Sequence, residues 1–222
     1  MKKIFAIIAL SLITITAVQA QPAKGQSGEK ERIVEISTSY GKMKIKLYNQ
    51  TPKHRDNFIK LASEGFYNDL LFHRVINGFM IQGGDPNSKT AGPDVQLGAG
   101  DVGYKVPGEF DKSLIHKKGT LCAARDGNPE KASSGCQFYI VQGKTHTDAE
   151  LDQMEQRMGS KYTPEQRNIY KTIGGTPFLD QNYTVYGEVI EGMDVIDKIA
   201  AVKTKPGDRP VENVKMQVKV IK

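Results

Sequence analysis

The run Leu70–Asp85, LLFHRVINGFMIQGGD, carries two groups able to do chemistry, Arg74 and Gln82, inside an otherwise apolar stretch. Asn77-Gly78 lies between them, and Asn-Gly flanked by apolar residues is a strong hairpin signal because both positions tolerate positive φ. On the two strands, Arg74 stands two places from Phe72 and Ile76, and Gln82 two places from Met80. Polar and large apolar side chains are therefore expected on one face. A charge partly withdrawn from water is costly unless something needs it there. Arginine stays charged and holds its donors in a rigid fork, so the chemistry on offer is directed hydrogen bonding to a ligand.

Other kinds of site are not written in the chain. It has no H-E-x-x-H, no G-x-S-x-G and no Cys/His cluster at metal spacing. His54, His73, His116 and His146 are scattered and read individually as structural or surface histidines. Gly98, Gly100 and Gly103 resemble a dinucleotide glycine motif, but they do not follow a strand and open a helix. Neither a cofactor nor a metal is expected.

Several elements must position Arg74 and Gln82. KMKIKLY (residues 42–48) puts Met43, Ile45 and Leu47 on one face and Lys42, Lys44 and Lys46 on the other. NVKMQVKVIK, at the end of the chain, alternates likewise through Val214, Met216, Val218 and Val220. These read as half-buried antiparallel strands whose lysines discourage edge pairing. Ser39-Tyr40-Gly41 marks a turn, so the domain is expected to open with a hairpin. Thr51-Pro52 reads as the start of a helix with Phe58, Leu61 and Ala62 facing inward, ended by Gly65. A second helix covers MDVIDKIAAV through Val195, Ile196, Ile199 and Ala200, and GTLCAA, CQFYIVQ and YTVYGEVI are short strand candidates. Many strands and two separated helices predict a closed β-barrel with helices over its openings.

The first twenty residues, MKKIFAIIALSLITITAVQA, have a basic start, an apolar stretch and a small-residue end at Val18-Gln19-Ala20. That is the pattern of a secretory signal peptide cleaved after Ala20, and the apolar part is short for a membrane span. Cleavage removes Lys2 and Lys3 and lowers the formal charge of the 222-residue chain from +6 to +4. The remaining lysines are spread, which argues against a nucleic-acid partner. Residues 21–31 read as a flexible leader and 32–222 as one domain. A periplasmic or secreted protein without stable membrane insertion is expected.

The FHRVINGFMIQGGD run resembles the cyclophilin family of peptidyl-prolyl cis–trans isomerases. The resemblance continues in GTLCAARDGNPEKASSGCQFYIV and FLDQNYTVYGEVIEGMDVIDKI, and it spans the whole domain apart from one insertion. It implies an eight-stranded antiparallel barrel capped by two helices, and rotation about X-Pro bonds of folding exported proteins. A proline-peptide-binding or chaperone module without meaningful catalysis is the competing class. Position by position, Arg74 matches the catalytic arginine, and Gln82, also expected to be catalytic, matches a pocket position of the following strand that can hold a peptide carbonyl. His73, Phe79, Met80, Gln137, Tyr139, Phe178, Leu179 and Tyr183 match substrate-pocket positions, and Ala124 and Arg125 a main-chain segment that holds the substrate backbone. A monomer acting on proline-containing segments is implied.

Departures from the family pattern are also legible. Asn77 stands where proline is usual, Tyr139 where phenylalanine is common, and Arg125 where asparagine is common. Phe178 and Tyr183 replace the tryptophan and histidine of many eukaryotic members, and the missing indole N–H implies weak cyclosporin binding. The stretch 147–175 is longer than the family's usual connection. Leu151, Met154 and Met158, then Thr163-Pro164-Glu165-Gln166 before Ile169, Tyr170 and Ile173, predict an inserted helical hairpin closed by Gly174-Gly175. Cys122 and Cys136 lie at offset positions near the two ends of a hairpin in the family, so two buried free thiols are expected, with a disulfide as the alternative. There is no C-x-x-C for a redox site.

Overall fold

The computed structural model describes residues 32–222; the signal-peptide and leader expectations fall outside them. Alternation builds the first hairpin. β1 (Arg32–Thr38) pairs antiparallel with β2 (Gly41–Leu47), Val34 opposite Ile45 and Ile36 opposite Met43, with all four side chains buried. Helix α1 (Pro52–Ser63) follows, with Pro52 in its first turn and Phe58, Leu61 and Ala62 buried. Thr51 does not cap it with its side chain. The first N–H groups, of Lys53 and His54, donate instead to the Glu109 carboxylate at 3.1 and 3.0 Å. A residue far along the chain thus supplies the cap that the local sequence promised.

The next strands are β3 (Phe72–Ile76), β4 (Met80–Gly83), the two-residue β5 (Lys105–Val106), β6 (Thr120–Ala123), the two-residue β7 (Ser133–Ser134) and β8 (Phe138–Val141). Helices α2 (Asp148–Met158) and α3 (Pro164–Thr172) form the inserted hairpin, each opened by a capping box, Thr147 with Glu150 and Thr163 with Gln166. β9 (Val185–Glu191), α4 (Met193–Ala200) and β10 (Gln217–Val220) complete the chain. α4 buries Val195, Ile196, Ile199 and Ala200, as its spacing predicts.

Eight strands form one antiparallel sheet in the order β10-β1-β2-β9-β6-β8-β4-β3. The expected closed barrel is corrected to an open, curled sheet. Its two end strands do not pair as a ladder. Leu70 and Phe72 bond to Met216 and Val214 just before β10 begins, with a single bridge at Leu71 and Lys215. Further along β3, Val75 N–H donates to Asp208 O at 2.8 Å, so an irregular segment occupies that edge of β3.

Strand alternation then sorts the side chains into two layers. Phe138, Ile140, Leu121, Ala123 and Ile81 join the main core with α1 and α4 residues. Tyr139, Val141, Cys122 and Met80, their alternates, pack with Val185 in a second cluster on the opposite face. Cys122 and Cys136 fall in different layers, and both are buried free thiols.

Candidate active site

Register brings the predicted residues into one row. Arg74 is the cross-strand partner of Gln82, Gln82 of Tyr139, and Tyr139 of Cys122. These four positions therefore share the face that carries the second apolar cluster. The turn linking β3 to β4 uses Gly78 at φ 75°, with Phe79 N–H donating to Ile76 O at 3.1 Å. Asn77 keeps negative φ, so only one of the two turn positions uses the left-handed region. The register also shifts between Phe72 and Arg74. Phe72 accordingly enters the main core rather than sharing Arg74's face, while Ile76 packs beside Met80 as expected.

The bulge sets His73 apart. It is buried, with no hydrogen-bond partner for either ring nitrogen, and burial pushes its pKa down to about 4. It has no cross-strand partner in the β3–β4 ladder and so stands outside the Arg74–Gln82 row.

Arg74 is half-exposed. Its Nε donates to Asp208 Oδ2 at 3.3 Å and its Nη1 to Gln82 Oε1 at 3.4 Å. Both contacts are long, and Nη2 donates to no acceptor among the described residues. Gln82 Nε2 donates to Gln137 Oε1 at 3.1 Å, and Gln137 Nε2 donates to the carbonyls of Gly98 (3.0 Å) and Gly100 (2.7 Å). Those two carbonyls fix which way the Gln137 amide points. Its oxygen must then face Gln82, which turns the Gln82 oxygen toward Arg74. One N–H of the Gln82 amide remains uncommitted.

The glycine loop is itself held by buried Asp85, whose carboxylate accepts the N–H groups of Gly98 and Gly100. A Cβ at Gly100 would stand 2.1 Å from Asp85 Oδ1, so no larger residue fits. Asp85, Asp208, Gly98 and Gly100 were not singled out by sequence as parts of the site. Asp85 closes the LLFHRVINGFMIQGGD run, whereas Asp208 lies more than a hundred residues away and gave no local signal.

Beside the polar row lies the apolar pocket. Met80, Tyr139 and Val185 are buried, and Phe79, Leu179, Tyr183 and Ala124 pack on them half-exposed. Phe178 is 50% exposed and stands 5.6 Å from Phe79, ring to ring. Tyr183 meets Tyr139 edge-on at 6.0 Å, and the Arg125 guanidinium sits 4.7 Å over the Tyr183 ring. Arg125 Nε also donates to Asn182 O at 2.9 Å, which binds its charge to the pocket wall. Ala124 has its N–H on Gln137 O and its carbonyl on Ser134 N–H. Of the expected main-chain pair, Arg125 alone keeps N–H and C=O without a hydrogen-bond partner among the described residues. A cavity of about 560 Å³, bordered by Gln82, Gln137, Ala124, Arg125, Gly98 and Tyr104, continues from the polar row.

The Tyr139 hydroxyl does not face this pocket. It meets His116 Nε2 at 3.1 Å, and His116 Nδ1 and backbone N–H donate to Asp180 Oδ1 at 2.7 and 2.8 Å. Asp180 Oδ2 accepts Tyr170 Oη at 2.6 Å and Tyr162 Oη at 3.0 Å, both from the inserted hairpin. Burial disfavours the charged His116 ring, but neighbouring Cys122 and Asp180 favour it, and the balance holds its pKa up at about 9. A chain of five polar side chains, four of them buried, thus ties the insertion to the back of the pocket. The tyrosine at 139 was the available signal, since a buried phenol requires a partner.

The sequence model of the family described as "Cyclophilin type peptidyl-prolyl cis-trans isomerase/CLD" matches residues 33–220. The chain belongs to this family. A Staphylococcus saprophyticus protein named "Putative peptidyl-prolyl cis-trans isomerase" is 38% identical over 180 residues, covering 81% of this chain and 86% of its own. A Staphylococcus aureus protein of the same name is 36% identical over 190 residues, covering 85% and 90%. Among solved structures, a cyclophilin-type isomerase of Cryptosporidium parvum superposes with a TM-score of 0.64 at 23% identity, covering 87% of this chain and 99% of its own. A second structure of it, determined in the presence of the dipeptide Ala-Pro, gives 0.62. The cyclophilin described here is a peptidyl-prolyl cis–trans isomerase.

Proposed function

We propose that Arg74 is the catalytic residue of this isomerase and that the proline ring rests on Met80, Phe79, Leu179, Tyr139 and Tyr183. The carrying observation is the in-register pair of Arg74 and Gln82 at the edge of that apolar cluster. Amide resonance gives the X-Pro bond a barrier of about 18–20 kcal/mol. Twisting breaks the resonance and localises a lone pair on the proline nitrogen. An Arg74 N–H can donate to that nitrogen, a contact with no counterpart in the planar ground state, so it accelerates the rotation. Gln82, with one N–H uncommitted, holds a peptide carbonyl still. The free N–H and C=O of Arg125 fit an extended substrate backbone. The Ala-Pro dipeptide present with the Cryptosporidium parvum protein supports a ligand of this size and chemistry.

The clients are exported chains. The support is the signal-like segment MKKIFAIIALSLITITAVQA, with cleavage after Ala20 and residence in the periplasm or outside the cell. Cyclosporin binds weakly, because Phe178 has no indole N–H to donate. Isomerisation of a short X-Pro peptide by the purified mature protein tests the enzyme reading. The N-terminal sequence of protein recovered from fractionated cells tests the second. A mature chain starting at Met1 in the cytoplasm would contradict export.

A further inference from the structure

The insertion builds a second concave surface, of about 760 Å³, that begins where the proline pocket ends. Phe178 belongs to both: one side of its ring faces Phe79, and it also lines the new groove with Met154 and Met158. Three cations, Lys112, Lys131 and Arg157, also line it, with Ser160, Gln181 and Asn182 as neutral polar neighbours. Asp180 is the lining's carboxylate, but it is 3% exposed and its oxygens are taken by His116, Tyr162 and Tyr170. Lys131 bonds to Gln181 O and Asn182 Oδ1. Lys112 and Arg157 are exposed, and neither side chain has an ion-pair or hydrogen-bond partner among the described residues. The acids nearest in sequence to Arg157, Asp152 and Glu155, are held by Arg167. On its own lining the groove thus sets three cations against one buried carboxylate, over thioether and aromatic surface.

We infer that this groove receives the part of the client chain flanking its X-Pro bond, and that it selects segments carrying an acidic side chain next to an apolar one. The inference rests on the placement of the proline between Phe79, Met80 and Tyr183. Continuity through Phe178 means that a chain seated there need extend only a few residues to reach the basic rim. Methionine suits a surface that must accept varied apolar side chains. Exposed cations contribute selectivity among sequences more than affinity, and their effect fades with salt.

The test uses the mature protein, a short Ala-Pro peptide, and versions of it extended by four residues at each end with either glutamate or lysine beside leucine. Exchange NMR reports kcat/KM for each, referred to the short peptide, which reports the pocket alone. The glutamate peptide should exceed the lysine peptide roughly 3- to 10-fold at low salt, the size of two exposed charge contacts. That ratio should approach one at about 0.5 M salt. The double variant Lys112→Gln, Arg157→Gln should show no charge preference. Equal rates for the two extended peptides at low salt, or a preference that survives in the double variant, would overturn the groove alone. No turnover of the short peptide would overturn the pocket assignment and the groove with it.

Discussion

Arg74 is held by two long contacts, and they are not equivalent. The Asp208 pair is more than 40% exposed on both sides, where solvent screens the attraction. Asp208→Ala should therefore change kcat/KM less than about 3-fold. Gln82 is different, because Gln137 and the Gly98 and Gly100 carbonyls fix its amide. Gln137→Leu removes that orientation and leaves the two carbonyls unpaired. The expected loss in kcat/KM is roughly 3- to 10-fold, the worth of one hydrogen bond. Steady-state isomerisation on a short Ala-Pro peptide separates the two variants, and a larger loss in Asp208→Ala would reverse the ranking. The pairing of Arg74 with Gln82 was legible from the Asn77-Gly78 hairpin signal, whereas their roles rest on the family resemblance. Asp208 was not legible, since its contact depends on the chain returning to the edge of β3 from far away.

At the level of elements, the inserted hairpin is a buttress as well as a rim. Its Tyr170 and Tyr162 hold Asp180, which immediately follows the pocket residues Phe178 and Leu179. Tyr170→Phe deletes one hydrogen bond to a buried carboxylate, a loss of roughly 1.5–3 kcal/mol. For a domain of this size the melting temperature should fall by roughly 3–10 °C. If the chain positions the pocket wall, KM for the peptide should rise while kcat changes little. A stability loss with unchanged KM would make the tyrosine a support for the hairpin only. The helices α1, α3 and α4 and the strands of the first hairpin could be read from periodicity and capping, because those signals are local. The bulge at His73, the Glu109 cap on α1 and the open seam between β3 and β10 could not. Each is decided by where a distant segment docks.

For the whole molecule, buried His116 opposes buried His73 and His54 in pH dependence, burial lowering the pKa of His54 as it does that of His73. His116 has its folded pKa raised from 6.5 to about 9, so its contribution is fully present below pH 6.5 and lost as pH rises through about 9. His73 is lowered from 6.5 to about 4, so its contribution is present above pH 6.5 and lost as pH falls toward 4. Stability should peak near pH 6.5 and decline on both sides. Urea midpoints across this range measure it. His116→Gln should flatten the alkaline limb while leaving the acid limb in place; an unchanged alkaline limb would remove His116 from that role. The curled sheet gains its two-layer character from strand alternation, and the eight strands were foreseeable. The closed barrel expected from sequence was not found, since closure turns on backbone pairing at Leu70–Phe72 and Val75 that no periodicity reports.

The most direct test of the account is Arg74→Ala, measured as kcat/KM on a short Ala-Pro peptide alongside peptide affinity on the folded variant. A charge-assisted hydrogen bond made at the twisted transition state is worth roughly 1.5–3 kcal/mol, or about 10- to 150-fold. The account predicts a loss of at least that size, affinity altered less than about 3-fold, and incomplete recovery in Arg74→Lys, whose ammonium lacks the planar fork. Near-normal turnover in Arg74→Ala would contradict it.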